Sequence, residues 1–240
     1  MSLALLLVLG VVAGTIGGII GFGASIILMP ALVVMFGPRI AVPVMAVAAA
    51  MGNFSRAVVW WREMDWRACA VYSVTAVPAA FLGARTLLVI PEHVADGVLG
   101  AFFILMIPAR RWMAAHKLRI GLAHLAVAGA LIGYLTGIVV STGPINAPFF
   151  LAYGLVKGAY IGTEALGSLA VYLSKVAAFR SFGALPLDVI AKGLAVGASL
   201  MIGSVLAKRW VLHLDPARFH ALMEILLLVS GGTMVVAAFS

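Results

Sequence analysis

Hydrophobic residues run along almost the whole chain, and short links that carry charges or proline divide them into segments. A helix that crosses the roughly 30 Å hydrocarbon core of a bilayer needs about 20 mostly apolar residues. Six segments have this length, and each predicts one membrane crossing. They are residues 41–61, 68–89, 94–113, 158–180, 187–207 and 219–239.

Two further apolar runs are too long for one crossing. Residues 3–38 and 120–156 contain 36 and 37 residues without Lys, Arg, Asp or Glu. One straight helix of that length would extend about 54 Å at the helical rise, and two full crossings with a turn need about 40 residues or more. Each run therefore predicts a hairpin of two short helices, re-entrant rather than spanning.

Glycine and proline mark where each hairpin breaks. Residues 14–25 of the first run are rich in glycine, and residues 141–148 of the second contain a glycine and two prolines. Both stretches are typical of helix breaks, and proline is favoured at the first position of a helix. The second helices are expected to begin near Ala24 and near Pro144.

The two long runs also resemble each other. Three glycines spaced four residues apart recur 119 positions later, and the register continues through a proline and a Ser-cation pair. The corresponding positions are Gly10, Gly14, Gly18, Pro30, Ser55 and Arg56 in the first half and Gly129, Gly133, Gly137, Pro148, Ser174 and Lys175 in the second. The pattern predicts two related halves, residues 1–116 and 117–240, each a broken hairpin followed by three transmembrane helices.

The predicted fold is therefore an all-α polytopic membrane protein with two repeats. Three crossings per half is an odd number, so the second repeat would be inverted. On that arrangement 11 of the 16 Lys and Arg residues fall on one face and 5 on the other, whereas counting each hairpin as one crossing gives 10 and 6. The positive-inside rule favours the inverted arrangement, with both termini outside the cytoplasm. Hairpins that cross the membrane completely would reverse this predicted orientation.

Composition excludes a soluble globular domain. The chain is 64% hydrophobic and 10% charged, with a mean hydropathy of +1.18, whereas soluble domains are about 45–50% apolar and about 25% charged. The net charge of +8 indicates membrane orientation rather than nucleic-acid binding. The single cysteine, Cys69, excludes an intramolecular disulfide. The first charged residue is Arg39, so the N-terminal run lacks the basic region of a secretory signal and is expected to belong to the fold.

The helix breaks are the first candidate binding site. A helix N-terminus carries about half a positive charge and free N–H groups, which attract anions. Polar and small residues at the two breaks could line such a site: Gly21, Gly23, Ser25, Ser141, Thr142, Gly143 and Asn146. The glycines spaced by four are more typical of close helix packing in membranes.

Two cations inside predicted crossings are the second candidate. Arg56 and Lys175 occupy equivalent positions, and a buried cation in a membrane usually faces the protein interior or a water-filled path. With the polar neighbours Asn53, Ser55, Tyr172 and Ser174, the pair could bind an oxyanion through charge-assisted hydrogen bonds. The alternative is that both side chains extend to the membrane interface.

Acidic residues inside the crossings are few. Glu164 could couple proton movement to transport, although an ion-paired or interfacial role is also typical of such a residue. His220 and Glu224, with His213 and Asp215 nearby, resemble a metal cluster, but they lie at a boundary between crossings where such residues are common. No metal site, cofactor site or motif of soluble catalysis is predicted.

The two halves resemble the TauE/SafE family of sulfite-exporter-like membrane proteins. The resemblance covers nearly the whole chain and begins with the stretch G-x-x-G-G-x-x-G-x-G. It rests on Gly14, Gly17, Gly18, Gly21, Gly23, Pro30, Gly37, Pro38 and Ala41 in the first half, and on Gly133, Gly137, Gly143, Pro148, Lys175, Phe182, Gly183, Ala184 and Leu185 in the second.

Membership would imply export of small sulfur-containing anions, such as sulfite or organosulfonates, across the cell inner membrane. Alternating access at a site between the broken hairpins is the expected mechanism. The expected partners are this anion and the lipid bilayer, with no nucleic acid, and a homodimer is compatible with the sequence. Other solutes, such as thiosulfate, a carboxylate or a metal ion, stay open, as does a membrane-embedded enzyme or assembly factor.

Overall fold

The computed structural model of the protein describes residues 2–89, 119–138 and 142–213. This part of the chain is built from helices and the loops between them, without a strand. In chain order the helices are α1 (Leu3–Ile20), α2 (Ala24–Phe36), α3 (Pro38–Val59), α4 (Trp66–Leu87), α5 (Leu122–Ile138), α6 (Gly143–Ala152), α7 (Lys157–Ser181) and α8 (Leu187–His213).

Local sequence signals explain where several helices begin. The Ser2 hydroxyl accepts from the Leu5 N–H at the start of α1, and the Asp65 carboxylate accepts from the Ala68 N–H at the start of α4. Helix α3 begins with a proline directly after Gly37, whose φ of 77° ends α2. Each of these devices satisfies or removes backbone groups that a helix end leaves unpaired.

The predicted crossings at 41–61, 68–89 and 158–180 correspond to α3, α4 and α7. The crossing at 187–207 corresponds to α8, which continues to His213. The crossings at 94–113 and 219–239 lie outside the described residues. Four of the described helices are long and apolar enough to cross a membrane: Leu3–Ile20, Ile40–Val59, Trp66–Leu87 and Leu187–His213.

Helix α7 is long enough for a crossing but less apolar than those four. Its 25 residues include Glu164 and Lys175, whose side chains are buried between helices. In contrast, α1, α4 and α8 expose large apolar side chains such as Val8, Val74 and Val205. Apolar exteriors around a partly polar centre are what a helical bundle in lipid requires.

The two long uncharged runs fold as broken hairpins. Helices α1 and α2 are separated by Gly21–Gly23, and α5 and α6 by the segment that ends at Thr142. The second helices begin at Ala24 and Gly143, so both breaks lie where glycine and proline predicted them. The first helices are longer than a short re-entrant leg, with 18 residues in α1 and 17 in α5.

Close glycine contacts explain the length of α1 and α5. Helix α1 packs along α8, and α5 packs along α4. In both pairs the residue numbers of the contacting positions rise in the same direction, so the two helices of each pair are parallel. The contacts in order are Gly10 with Ser199, Gly14 with Leu200 and Gly18 with Ser204, and Gly129 with Tyr72, Gly133 with Ala76 and Gly137 with Ala80. The four-residue glycine pattern is therefore confirmed as a packing surface.

The remaining contacts fix the direction of the hairpins. Helix α3 is parallel to α8, and α4 is parallel to α7, whereas α3 and α7 are antiparallel. The contacts that show this are Ser55 with Met201 and Val59 with Lys208, Tyr72 with Gly167 and Val77 with Ser174, and Arg56 with Glu164 and Trp60 with Gly158. Helices α1 and α5 consequently run in opposite directions.

Candidate functional site

The first break is formed by glycines in a left-handed conformation. Gly21 has φ 94° and Gly23 has φ 102°, a region that other residues adopt only at a cost. An added side chain at Gly21 would also contact Tyr160 of α7. Gly23 precedes α2 and provides no side chain to cap it. The first N–H groups of α2 are therefore left at the break without a capping partner from Gly23.

The second break also leaves the N-terminus of a helix without a side-chain cap. Thr142 precedes α6 but makes no side-chain hydrogen bond to the helix N-terminus. Its hydroxyl forms a hydrogen bond instead with the hydroxyl of Thr136 in α5. The Thr136 hydroxyl is also within hydrogen-bond distance of the Ile132 carbonyl, at 2.7 Å. This contact links the two legs of the second hairpin across the break.

The two breaks meet in the protein interior. Gly143 packs against the Phe22 side chain so closely that an added Cβ would overlap it. A pocket lies at this junction. Its lining residues are Gly14, Gly17, Gly21, Phe22, Gly23, Ala24, Ser25, Met45, Ala49, Gly52, Asn53, Arg56, Thr142, Gly143, Glu164, Ser168, Tyr172, Leu200 and Ser204.

A buried ion pair lies across this pocket. Arg56 of α3 is 8% exposed and Glu164 of α7 is 2% exposed, and Nη2 of Arg56 is 3.6 Å from Oε2 of Glu164. The guanidinium also donates to the Asn53 side-chain oxygen through Nη2, and to the Gly17 carbonyl of α1 through Nη1 at 3.3 Å. The Arg56 side chain is therefore held in the protein interior.

The two oxygens of the Glu164 carboxylate have different surroundings. Its Oε1 accepts from the Asn146 amide at 3.2 Å and from the Ser168 hydroxyl at 2.6 Å. Its Oε2 is buried, accepts no hydrogen bond, and has the Arg56 guanidinium as its ion-pair partner. Glu164 is thus ion-paired with Arg56 in this structure, and its role in proton coupling stays a prediction.

Lys175 makes the contact that corresponds to the one from Arg56 to α1. Its Nζ donates to the Thr136 carbonyl of α5 at 2.8 Å. From Arg56 to Lys175 and from Gly17 to Thr136 the shift is 119 positions in each case. In both hairpins a buried cation therefore contacts a carbonyl near the C-terminal end of the first helix, where the helix dipole favours positive charge.

The predicted site residues separate into two groups. Those that line the pocket are Gly21, Gly23, Ser25, Asn53, Arg56, Thr142, Gly143 and Tyr172. Asn146 adjoins it through Glu164, whereas Ser55, Ser174 and Lys175 are not in the lining. The Ser55 hydroxyl donates to the Met201 carbonyl at 3.3 Å, and that of Ser174 to the Val77 carbonyl at 2.8 Å. Ser141 lies outside the described residues.

Sequence reasoning missed Ser168, which lines the pocket. It lies one helical turn after Glu164, so the i, i+4 spacing on a predicted helix was a usable signal. The scarcity of side-chain amides was a second signal, for the site as a whole, because the chain has two asparagines and no glutamine. Both asparagines, Asn53 and Asn146, contact a member of the Arg56–Glu164 pair.

The arrangement suits a small anion better than a metal ion. Two helix N-termini and a guanidinium face one pocket, and all three favour negative charge. Among the described residues no group of three or more His, Cys, Asp or Glu side chains could hold a metal ion. The cluster around His220 and Glu224 lies outside the described residues.

Comparison with known proteins identifies a family. The family model described as Sulfite exporter TauE/SafE matches residues 6–234. No curated protein and no solved structure matches the chain.

Proposed function

Because the chain belongs to the sulfite exporter TauE/SafE family of membrane transporters, we propose that it carries a small sulfur-containing anion, such as sulfite or an organosulfonate, through the pocket between its helix breaks. Transport, rather than catalysis, is the activity of this family. The protein is an all-α polytopic membrane protein, and we propose the cell inner membrane as its location.

One observation carries the proposal: the uncapped N-termini of α2 and α6 face the same pocket as Arg56. Backbone N–H groups at a helix start have no acceptor within their own helix, so an anion can supply one. Pro144 lacks an N–H, which leaves Gly143 as the donor that begins α6. A tetrahedral or pyramidal oxyanion has several acceptor oxygens and can use both helix starts at once.

Arg56 provides the full positive charge that the helix ends lack. A guanidinium has five N–H donors, and the described contacts of Arg56 use only part of them. The remaining donors can bind an oxyanion that enters the pocket. Charge-assisted hydrogen bonds of this kind are about twice as strong as neutral ones.

We further propose that the two halves are inverted repeats which rock about this pocket. The opposite directions of α1 and α5 support inversion, and so does the equivalent pairing of α1 with α8 and of α5 with α4. The division at residues 1–116 and 117–240 places one broken hairpin in each half. Alternating access in such transporters moves one repeat against the other around a site near the midplane.

The test is a panel of solutes measured by thermal stability and by flux. Purified protein is expected to be stabilised by sulfite and methanesulfonate, because a ligand that binds only the folded state adds about 2.7 kcal/mol at 100 times its Kd. Proteoliposomes should then accumulate or release the same anions. Thiosulfate, acetate and an organic cation complete the panel and separate sulfur oxyanions from other solutes.

The matched variants are Arg56→Gln in the pocket and Arg62→Gln in the exposed loop between α3 and α4. Arg56→Gln keeps a hydrogen-bond donor but removes the charge, so the anion-dependent stabilisation should disappear. Arg62→Gln removes the same charge outside the pocket and should leave that stabilisation unchanged. Stabilisation by the cation alone, or equal anion effects in both variants, would contradict the proposal.

A further inference from the structure

Glu164 has an unusual position for a carboxylate in an anion pocket. It is 2% exposed, lines the pocket and faces the guanidinium that we assign to the anion. A fixed negative charge there repels the substrate and competes with it for Arg56. An ion pair with no transport role would not need to lie in the pocket, since two buried charges cost desolvation energy wherever they are placed.

The charged surroundings of Glu164 are simple in the part of the chain that the structure describes. From α3 it faces Arg56, and from α6 the uncharged Asn146. The other titratable side chains that interact with it are tyrosines, Tyr72 of α4 and Tyr160 and Tyr172 of α7. Tyrosines are neutral at physiological pH, so the Arg56–Glu164 pair has no net charge before an anion arrives.

We infer that Glu164 takes up a proton when the anion binds, so that anion transport is coupled to proton transport. This inference rests on the proposed function. A monovalent anion at Arg56 places a second negative charge beside Glu164, and two negative charges that share a site disfavour ionisation of the carboxylate. One proton from water, bound at Oε2 of Glu164, removes this repulsion.

The two sides of the carboxylate fit this step. Oε1 is held by the donors of Asn146 and Ser168, which keep the side chain in place in either protonation state. Oε2 accepts no hydrogen bond, so it is the oxygen that can receive the proton. A protonated carboxyl is a hydrogen-bond donor, and Oε2 would then donate toward the anion instead of repelling it.

The same charges explain how the site returns to its starting state after transport. When the anion leaves on the other side of the membrane, Arg56 again has only Glu164 as its counter-charge, and the proton is released to water. Each cycle therefore moves one anion and one proton in the same direction. No covalent bond other than the O–H bond forms or breaks.

The experiment measures proton uptake during anion binding by purified protein in weakly buffered detergent solution with a pH indicator. Methanesulfonate is the probe because it is fully ionised, whereas sulfite itself exchanges protons near neutral pH. The wild-type protein should take up about one proton per bound methanesulfonate, because one proton on Glu164 removes the repulsion between its carboxylate and the anion. Anion binding is followed in parallel by calorimetry in two buffers of different ionisation enthalpy.

Three variants locate the proton. Glu164→Gln should bind methanesulfonate with the proton uptake lost, and Glu164→Asp should retain uptake because it keeps the carboxyl. Glu63→Gln removes an exposed carboxylate from the loop before α4 and should behave as wild type. Size-exclusion profiles identify any variant that fails to fold, and the wild-type measurement stands without the variants.

The outcomes distinguish this inference from the function on which it rests. Binding by the wild-type protein without proton uptake, or equal uptake in Glu164→Gln, overturns the proton coupling and leaves anion transport standing. Absence of anion binding by the wild-type protein overturns the proposed function and the coupling together.

Discussion

At the scale of single residues, the pocket depends on how Arg56 is held. Asn53 lies one helical turn before it, donates to the Ala49 carbonyl at 2.8 Å and accepts from Nη2 of Arg56. The amide therefore fixes the guanidinium without adding charge. An acid at this position would still accept from Arg56, but it would place a second fixed negative charge beside the anion.

We accordingly predict that Asn53→Asp binds sulfite or methanesulfonate about tenfold more weakly, which corresponds to about 1.4 kcal/mol. A Coulomb repulsion of this size is ordinary for charges a few ångströms apart in a partly buried site. Titration calorimetry measures the change in Kd. Ser2→Asp is the matched control, because it adds the same charge at the exposed N-cap of α1 and preserves the cap.

An unchanged Kd in Asn53→Asp would show that the anion does not bind near Arg56. A larger Kd in both variants would point to a general effect of net charge, which screening by salt would remove.

Residue-level interactions were also the hardest to predict from the sequence. Arg56 and Glu164 are far apart in the chain, and their pairing arises only when α3 and α7 pack antiparallel. The equivalent contacts of Arg56 with Gly17 and of Lys175 with Thr136 were hidden for another reason. The acceptors are backbone carbonyls, so the repeated contact leaves no repeated residue type to detect.

At the scale of helices, the glycine faces of α1 and α5 allow their partners to approach closely. Gly133 packs on the backbone of Ala76, where an added Cβ would lie 2.7 Å from Cα and overlap the carbonyl oxygen. Backbone atoms cannot move aside as a flexible side chain can. Gly121, just before α5, has nothing within 4 Å of an added Cβ.

We predict that Gly133→Val lowers the free energy of unfolding by about 1–3 kcal/mol, the usual cost of overpacking. Gly121→Val in the same segment should change it by less than about 0.5 kcal/mol, as surface substitutions commonly do. Thermal unfolding in detergent, followed by tryptophan fluorescence, measures both. Equal losses of stability in the two variants would contradict the packing assigned to α5.

The positions of the helices were largely predictable because they depend on local signals. Glycine and proline act on the backbone where they stand, so the breaks before Ala24 and Gly143 could be located from the sequence. Helix length was less predictable. The first legs are longer than a short re-entrant helix because their glycine faces continue along α8 and α4, a consequence of tertiary packing.

At the scale of the whole molecule, two oppositely directed hairpins bring their breaks to one pocket. The uncharged runs that contain them stand out in the sequence, but only the fold shows that Gly143 lies against Phe22. The positively charged side chains of the described part are also unevenly distributed. Arg62, Arg67, Lys157, Lys208 and Arg209 lie at one end of the bundle, and Arg85, Arg180 and Lys192 lie at the other. By the positive-inside rule, we propose that the first end faces the cytoplasm.

We propose that a sulfur-containing anion occupies the junction of the two breaks and reaches it from both sides of the membrane. Ser25 reports on this directly, because it is the second residue of α2, lines the pocket and is buried. The buried Cys69 is replaced by serine first, so that Ser25→Cys introduces a single thiol. Its reaction with a membrane-impermeant maleimide is then timed in right-side-out and inside-out vesicles.

We predict that the thiol reacts in both kinds of vesicle and that methanesulfonate at ten times its Kd slows the reaction about tenfold, because it occupies the pocket. Ser2→Cys, at the exposed start of α1, should react at a rate independent of methanesulfonate. A Ser25→Cys thiol that reacts at the same rate with and without the anion, or from one side only, would show that the anion does not bind at this junction or does not reach it from both sides.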